Sequence, residues 1–159
     1  MKKEMNNKGF SLVELIIVVA IMAVLIGVLA PAYLQYVEKS KKTKDCGTIG
    51  SVMDAFEIVA ADPAVDWTAE VGYTVTIETG NASTSYGSGD VATALDKIVP
   101  AAKTKLGSSW AKVQFEAVKN SDGIVKFEMK SGLKNATASA ADAEAEIAEI
   151  SPALEARFQ

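Results

Sequence analysis

The sequence predicts an α+β chain: one long N-terminal helix packed, through its second half only, on a small antiparallel sheet. Three observations predict it. An apolar run near the start is too long and too evenly hydrophobic for an ordinary core helix. The residues after it carry apolar side chains at helical spacing. Farther on, two alternating segments flank a turn signal.

The chain has 159 residues, enough for one domain of ordinary size and one long extra element. Hydrophobic residues make up 49% of it, concentrated near the start. Histidine is absent, which removes the commonest general base and the commonest metal ligand. Cys46 is the single cysteine, so no internal disulfide can form and the fold must rest on its core. The net charge of −4 hides a split. Residues 1–44 hold seven Lys against three Glu, whereas residues 45–159 hold nine Lys and Arg against seventeen Asp and Glu. An acidic outer domain repels phosphate backbones, so nucleic acid is not expected as a partner.

From Leu15 to Val37 run twenty-three residues without a formal charge. At about 1.5 Å per residue a helix of that length reaches roughly 34 Å, enough to cross a bilayer core of about 30 Å. The rest of the chain is too small to wrap so long a cylinder that is apolar all round. Three readings compete for this segment. It could be a signal anchor. It could be a secretory signal peptide, with Lys2, Lys3 and Lys8 before the apolar stretch and cleavage after Ala32 in Ala30-Pro31-Ala32, which would release a soluble binding protein. Or Glu14 has a use of its own. A carboxylate at the centre of a membrane costs about 2.5–3.5 kcal/mol on insertion scales, less near an end. Neither a signal peptide nor an anchor needs it, and its natural partner is a cation.

Lys8-Gly9-Phe10-Ser11-Leu12-Val13-Glu14-Leu15, followed by the apolar run, resembles the processing site of the type IV pilin and pseudopilin family. The resemblance covers about the first thirty-five residues. It implies a short basic leader, residues 1–9, cut between Gly9 and Phe10 by a membrane-embedded prepilin peptidase that also methylates the new amino group of Phe10. It implies that Glu14 of one subunit faces the terminal amine of its neighbour, about 6 Å along a helix from its own. Such a pairing punishes wrong register more than it adds stability. A contact of this head-to-side kind, when its rotation does not close, builds a helical filament. Gly27 and Pro31 match a helix-weakening region of family filaments. The implied partners are other copies of the chain, the peptidase, membrane lipid before assembly, and indirectly an assembly platform with its ATPase motor. No cofactor is implied. The implied location is the cytoplasmic membrane, single-pass with the head outside, and then a surface pilus. Charge alone does not orient the span, since Lys39, Lys41, Lys42 and Lys44 follow it as Lys2, Lys3 and Lys8 precede it.

The domains expected are thus a leader (1–9), a transmembrane and polymerisation helix (10–37), its amphipathic continuation (38–61) and an α+β head (62–159). The continuation is read from Ile49, Val52, Met53, Phe56 and Val59, which form one stripe, with Asp62-Pro63 as its stop. Lys39–Lys44 reads as a solvated or headgroup-level face. Trp110–Val118 alternates, with Trp110, Lys112, Gln114 and Glu116 on one face and Ala111, Val113, Phe115 and Ala117 on the other. Lys119–Gly123 reads as a turn, and Ile124–Lys130 as the returning strand. Tyr73–Thr79 is a third strand. Asp90 is placed as the N-cap of a helix along Val91, Ala94, Leu95 and Ile98, interrupted by Pro100. An Ala/Glu-rich helix near Ala140–Ile150 closes the chain with a thin apolar face. Gly80-Asn81 and Ser83–Gly89 read as polar surface.

Little else in the sequence carries chemistry. Asn81-Ala82-Ser83 and Asn135-Ala136-Thr137 match a glycosylation triplet that arises readily by chance. Asp142, Glu144, Glu146 and Glu149 read as a solvated helix face rather than a cation site. Tyr33 and Tyr36 fit interfacial aromatics at the end of the span better than an aromatic path with Phe10. No phosphate loop, zinc ligand set or nucleophile–base pair is present, so no enzyme is expected. The function expected is a structural pilus subunit, the major pilin before a minor one, serving adhesion, motility or biofilm formation. A pseudopilin of a secretion or DNA-uptake machine remains the rival within the family. The chain departs from many family members in lacking a disulfide-closed C-terminal region, as pilins of some Gram-positive bacteria do, and its last thirty residues are left without a predicted packing.

Overall fold

A computed structural model describes residues 10–68, 70–80, 84–133 and 139–158. The chain divides into two compact units, Met1–Val37 and Glu38–Gln159. One helix, α1 (Leu12–Ala61), contributes to both.

In the first unit α1 stands without a core. Every described residue from Phe10 to Tyr36 is exposed. The helix starts two residues later than the sequence indicated, because Ser11 takes the cap position and Phe10 precedes it. Leu15 N–H donates to the Ser11 carbonyl at 3.2 Å, the first intrahelical bond. α1 runs unbroken through Gly27 and Pro31. Pro31 has no N–H, so it is the Gly27 carbonyl that lacks its bond four residues on, and the ring presses toward that same residue.

The second unit is an α+β head built on the remainder of α1. That segment buries Asp45, Cys46, Ile49, Val52, Met53, Ala55, Phe56 and Val59, one stripe at helical spacing. It packs on a three-stranded antiparallel sheet of order β1 (Gly72–Glu78), β2 (Lys112–Lys119), β3 (Val125–Leu133). Val75 pairs with Phe115 and Ile77 with Val113, while Ala117 pairs with Phe127 and Phe115 with Met129. These alternate residues form the buried face. The register slips by one residue between Gln114 and Phe115. Near that bulge, Gly132 adopts a φ of 133°, and a Cβ there would strike the Lys112 carbonyl oxygen. The core is aromatic in its middle: Phe56 meets Trp67 and Phe127 edge-on, and Phe115 meets Phe127 and Phe158 likewise.

Several expectations are corrected here. Trp110 lies before β2 and is fully buried, not on the polar face with Lys112. The alternation does not reach back to it, because the strand begins only at Lys112. Asp90 is the first helical residue of α2 (Asp90–Ile98). Gly89 holds the cap position, and no side chain caps it. Ile98 is 44% exposed, off the buried line of Val91 and Leu95. Within Ser83–Gly89, Thr84 and Tyr86 are buried. The Tyr86 hydroxyl donates to the Val99 carbonyl at 2.7 Å, Thr84 donates to the Thr104 carbonyl, and Ser85 exchanges backbone bonds with Thr76. Thr84 and Tyr86 are thereby drawn inside because each of their hydroxyls finds a backbone carbonyl.

The C-terminal stretch packs more fully than its sequence indicated. Ser139 caps α3 (Ala140–Ile150), accepting from Asp142 N–H, and Ala143 and Ile147 are buried. Pro152 opens α4 (Pro152–Glu155), and Leu154 is buried. Arg157 then binds Asp54 and Glu57 of α1, each at 2.7 Å, and lies 5.6 Å from the centre of the Phe127 ring. Phe158 forms a bridge to Phe127. This clasp ties the end of the chain to helix and sheet without a disulfide.

Candidate functional site: the N-terminal segment and the turns that follow it

Glu14 is where the sequence pointed first. It is the third residue of α1, and its Oε2 accepts the backbone N–H of Ser11 at 2.9 Å. Ser11-Leu12-Val13-Glu14 is thus half of a capping box: the acid satisfies one of the N–H groups that a helix start leaves without a partner. A carboxylate in the first turn also favours the helix dipole. The S-x-x-E spacing before an apolar run was a readable signal, and it gives Glu14 a local use alongside any use between subunits. Only one of its oxygens is engaged by this bond, which leaves the other able to accept. Phe10 is 87% exposed and lies outside the helix, so its separation from Glu14 is not the helical rise of about 6 Å that was expected. Gly9 and both Asn triplets lie outside the described residues.

The surface around Glu14 is apolar without interruption. Leu12, Val13, Leu15, Ile16 and Ile17 begin a series of exposed large side chains that continues to Leu34, with Tyr33 and Tyr36 exposed at its end. This helix is long and apolar enough to cross a membrane.

Beyond Val37 the character of α1 changes within two turns. Glu38 accepts the Ser109 N–H at 2.6 Å, and Asp45 accepts from Gly107 at 2.8 Å and Ser108 at 2.9 Å. Three consecutive backbone N–H groups of one loop are therefore held by two acids seven residues apart on one helix face. The Ser109 N–H holds the Glu38 carboxyl below its ordinary value, with neighbouring Lys41 and Lys42 acting in the same direction. Between them Lys42 binds Glu146 at 2.8 Å and sits 5.7 Å from the centre of the Trp110 ring, and Trp110 Nε1–H donates to Glu146 at 3.0 Å. Lys42 and Glu146 thus leave the solvated faces to which the sequence assigned them. Burial pushes the Cys46 thiol up to about 11, with Asp45 adding to the shift, so it is a core side chain and a poor nucleophile. Among the described residues no group of three or more His, Cys, Asp or Glu is placed to hold a metal ion.

Comparison with known proteins bears on the same N-terminal segment. The family model described as the prokaryotic N-terminal methylation motif matches residues 5–30. Two proteins of Moraxella bovis, fimbrial protein Q and the type IV major alpha-pilin, are each 40% identical to the chain over 60 residues. That stretch is 38% of this chain and 32% of either relative, so the match spans about a third of their length. No solved structure matches. The N-terminal segment of the chain thus carries the prokaryotic N-terminal methylation motif and is similar to the corresponding part of a type IV major pilin.

Proposed function

We propose that the chain is a structural subunit of a type IV pilus, most simply its major pilin, and not an enzyme. The observation that carries this reading is the unpartnered apolar surface of residues 12–34, set on the same chain as a sealed head. Such a surface needs an apolar surrounding, first membrane and then the packed helices of neighbouring subunits. In this reading residues 1–9 are a leader, 10–37 the transmembrane and polymerisation segment, 38–61 its amphipathic continuation and 62–159 the head that faces outward on the membrane and on the filament.

A prepilin peptidase cuts between Gly9 and Phe10 and methylates the new amine. Cutting converts a neutral peptide into a cation next to Ser11, whose N–H Glu14 already accepts. The Glu14 oxygen left over by that bond then meets the terminal amine of an adjacent subunit, which sets the axial register of the filament. Pro31, by depriving the Gly27 carbonyl of its partner, gives the segment a place to bend as the subunit leaves the membrane for the filament. An assembly platform and its ATPase motor drive that transfer. The filament serves adhesion, motility or biofilm formation.

The N-terminal peptide mass of the protein from its own cells tests the processing. A chain beginning at methylated Phe10 supports the reading, and one beginning at Tyr33 overturns it. The Glu14→Ala variant tests the pairing: it is expected to be processed and inserted yet to yield no visible pili, and normal pili from it would remove Glu14 from the assembly rule.

A further inference from the structure

Residues 38–45 read Glu-Lys-Ser-Lys-Lys-Thr-Lys-Asp, four cations and two acids. The fold separates these charges. Both acids turn inward, Glu38 to the Ser109 N–H and Asp45 to Gly107 and Ser108. Lys42 turns with them, to Glu146 and Trp110. Lys39, Lys41 and Lys44 remain exposed, as do Ser40, Thr43 and Gly47 between and beyond them. At 100° per residue these six occupy one outward arc of the helix, which carries three ammonium groups and no acid. Asp54, farther along α1, is already bound by Arg157. In sequence the arc follows immediately on twenty-three residues without charge that end in Tyr33, Tyr36 and Val37.

We propose that Lys39, Lys41 and Lys44 form a collar that binds the phosphates of anionic phospholipid headgroups at the surface of the membrane holding the subunit before assembly. The inference rests on the reading of residues 10–37 as a membrane span, since that places the collar at headgroup depth. Its chemistry follows from the sorted charges. With every charge of this segment exposed, its two acids would cancel half of its four cations, whereas the sorted arc presents three cations and no acid, on flexible stems that reach a phosphate plane. The collar makes the stored subunit lipid-selective and holds the head against the membrane until assembly withdraws it.

The test uses the full chain reconstituted into nanodiscs of phosphatidylcholine containing one part in ten phosphatidylglycerol. Flotation and resistance to alkaline extraction first report insertion; a chain that fails here contradicts the membrane reading itself. For the inserted protein, mass spectrometry counts the phospholipids retained after partial delipidation. Wild type is expected to enrich phosphatidylglycerol about fivefold over bulk, an enrichment lost in high salt. The triple variant Lys39→Gln, Lys41→Gln, Lys44→Gln is expected to retain the bulk ratio with an unchanged thermal midpoint. A control of equal charge, Lys97→Gln, Lys119→Gln, Lys126→Gln, is expected to keep the enrichment. Equal loss in both triples would reduce the effect to net charge and overturn the collar. Enrichment that survives the collar triple, with loss of cross-linking between chains, would assign the lysines to a second copy's acidic head and also overturn it.

Discussion

The two units of this chain are made from similar apolar residues and use them in opposite ways. In residues 38–158 Trp110, Phe56, Phe115 and Ile49 are fully buried by partners within the chain. In residues 10–37 Ile16, Ile21 and Leu25 are each more than half exposed. Composition alone does not separate them; the availability of a second layer does. A helix becomes half of a two-layer fold where a sheet covers its stripe, and where nothing covers it the same kind of helix remains an interface waiting for lipid or for another subunit. The head should therefore fold and melt by itself, while the segment's energetics should appear only in a membrane or a filament.

The sharpest break of that comparison is a pair of truncations. Phe115→Ala is expected to destabilise the head by about 3–5 kcal/mol, read as a fall in denaturant midpoint for the full chain in detergent. Ile21→Ala, in the exposed segment, is expected to leave that midpoint unchanged and to act only on filament assembly. A loss of head stability from Ile21→Ala would mean that the segment has a partner within its own chain.

Next in size is Asp45, a buried acid whose carboxylate answers two backbone N–H groups. Asp45→Ala removes both bonds and strands the loop donors, for an expected loss of about 2–3 kcal/mol in thermal or chemical unfolding. Asp45→Asn keeps one acceptor and should recover part of it. Smaller again is Arg157, whose partners Asp54 and Glu57 are both more than half exposed. Surface ion pairs contribute little, so Arg157→Ala is expected to lower stability by about 1 kcal/mol, mostly through the guanidinium that lies over the Phe127 ring. If raising the salt concentration removes as much stability as the substitution does, the ion pairs and not the packing hold the clasp.

What the sequence made legible followed from period and punctuation. The stripe of Ile49, Val52, Met53, Phe56 and Val59, the stop at Asp62-Pro63, and the strands through Val75, Phe115 and Phe127 are local patterns, and the fold kept them. The misses share a cause: they depend on residues far apart in sequence. Asp45, Glu38 and Glu146 look like surface charges until the loop at 107–110 arrives to meet them. Trp110 looked like one member of an alternation, but a Lys and a Glu from two different helices fix its place. Thr84 and Tyr86 are polar by composition and buried because distant carbonyls accept from them. The candidate site divides the same way. Glu14 stood out because a charge at the edge of an apolar run is conspicuous, whereas its bond to Ser11 was equally local and could have been read from the S-x-x-E spacing.

The smallest expected effect concerns the junction where the head first grips α1. Glu38 ionises more readily in the folded head than its ordinary value of 4.5, chiefly because the Ser109 N–H bonds its charged form. The sign follows from linkage. A carboxylate whose folded value lies below its unfolded one adds stability that is complete above the unfolded value and disappears as pH falls through the folded one. The charged groups about it are Lys41 and Lys42 on its own helix, with Glu146 of α3 bound to Lys42. The head is therefore expected to lose a modest part of its stability on acidification below about pH 4.5, and Glu38→Gln, which accepts without titrating, should lose less over the same interval. Exposed Glu128, also lowered through Lys130, titrates in both proteins and cancels in the difference. Parallel pH profiles of the thermal midpoint for the two proteins would show that the Ser109 contact does not hold in solution. The loop would then be gripped by Asp45 alone, seven residues farther along the helix from the apolar segment.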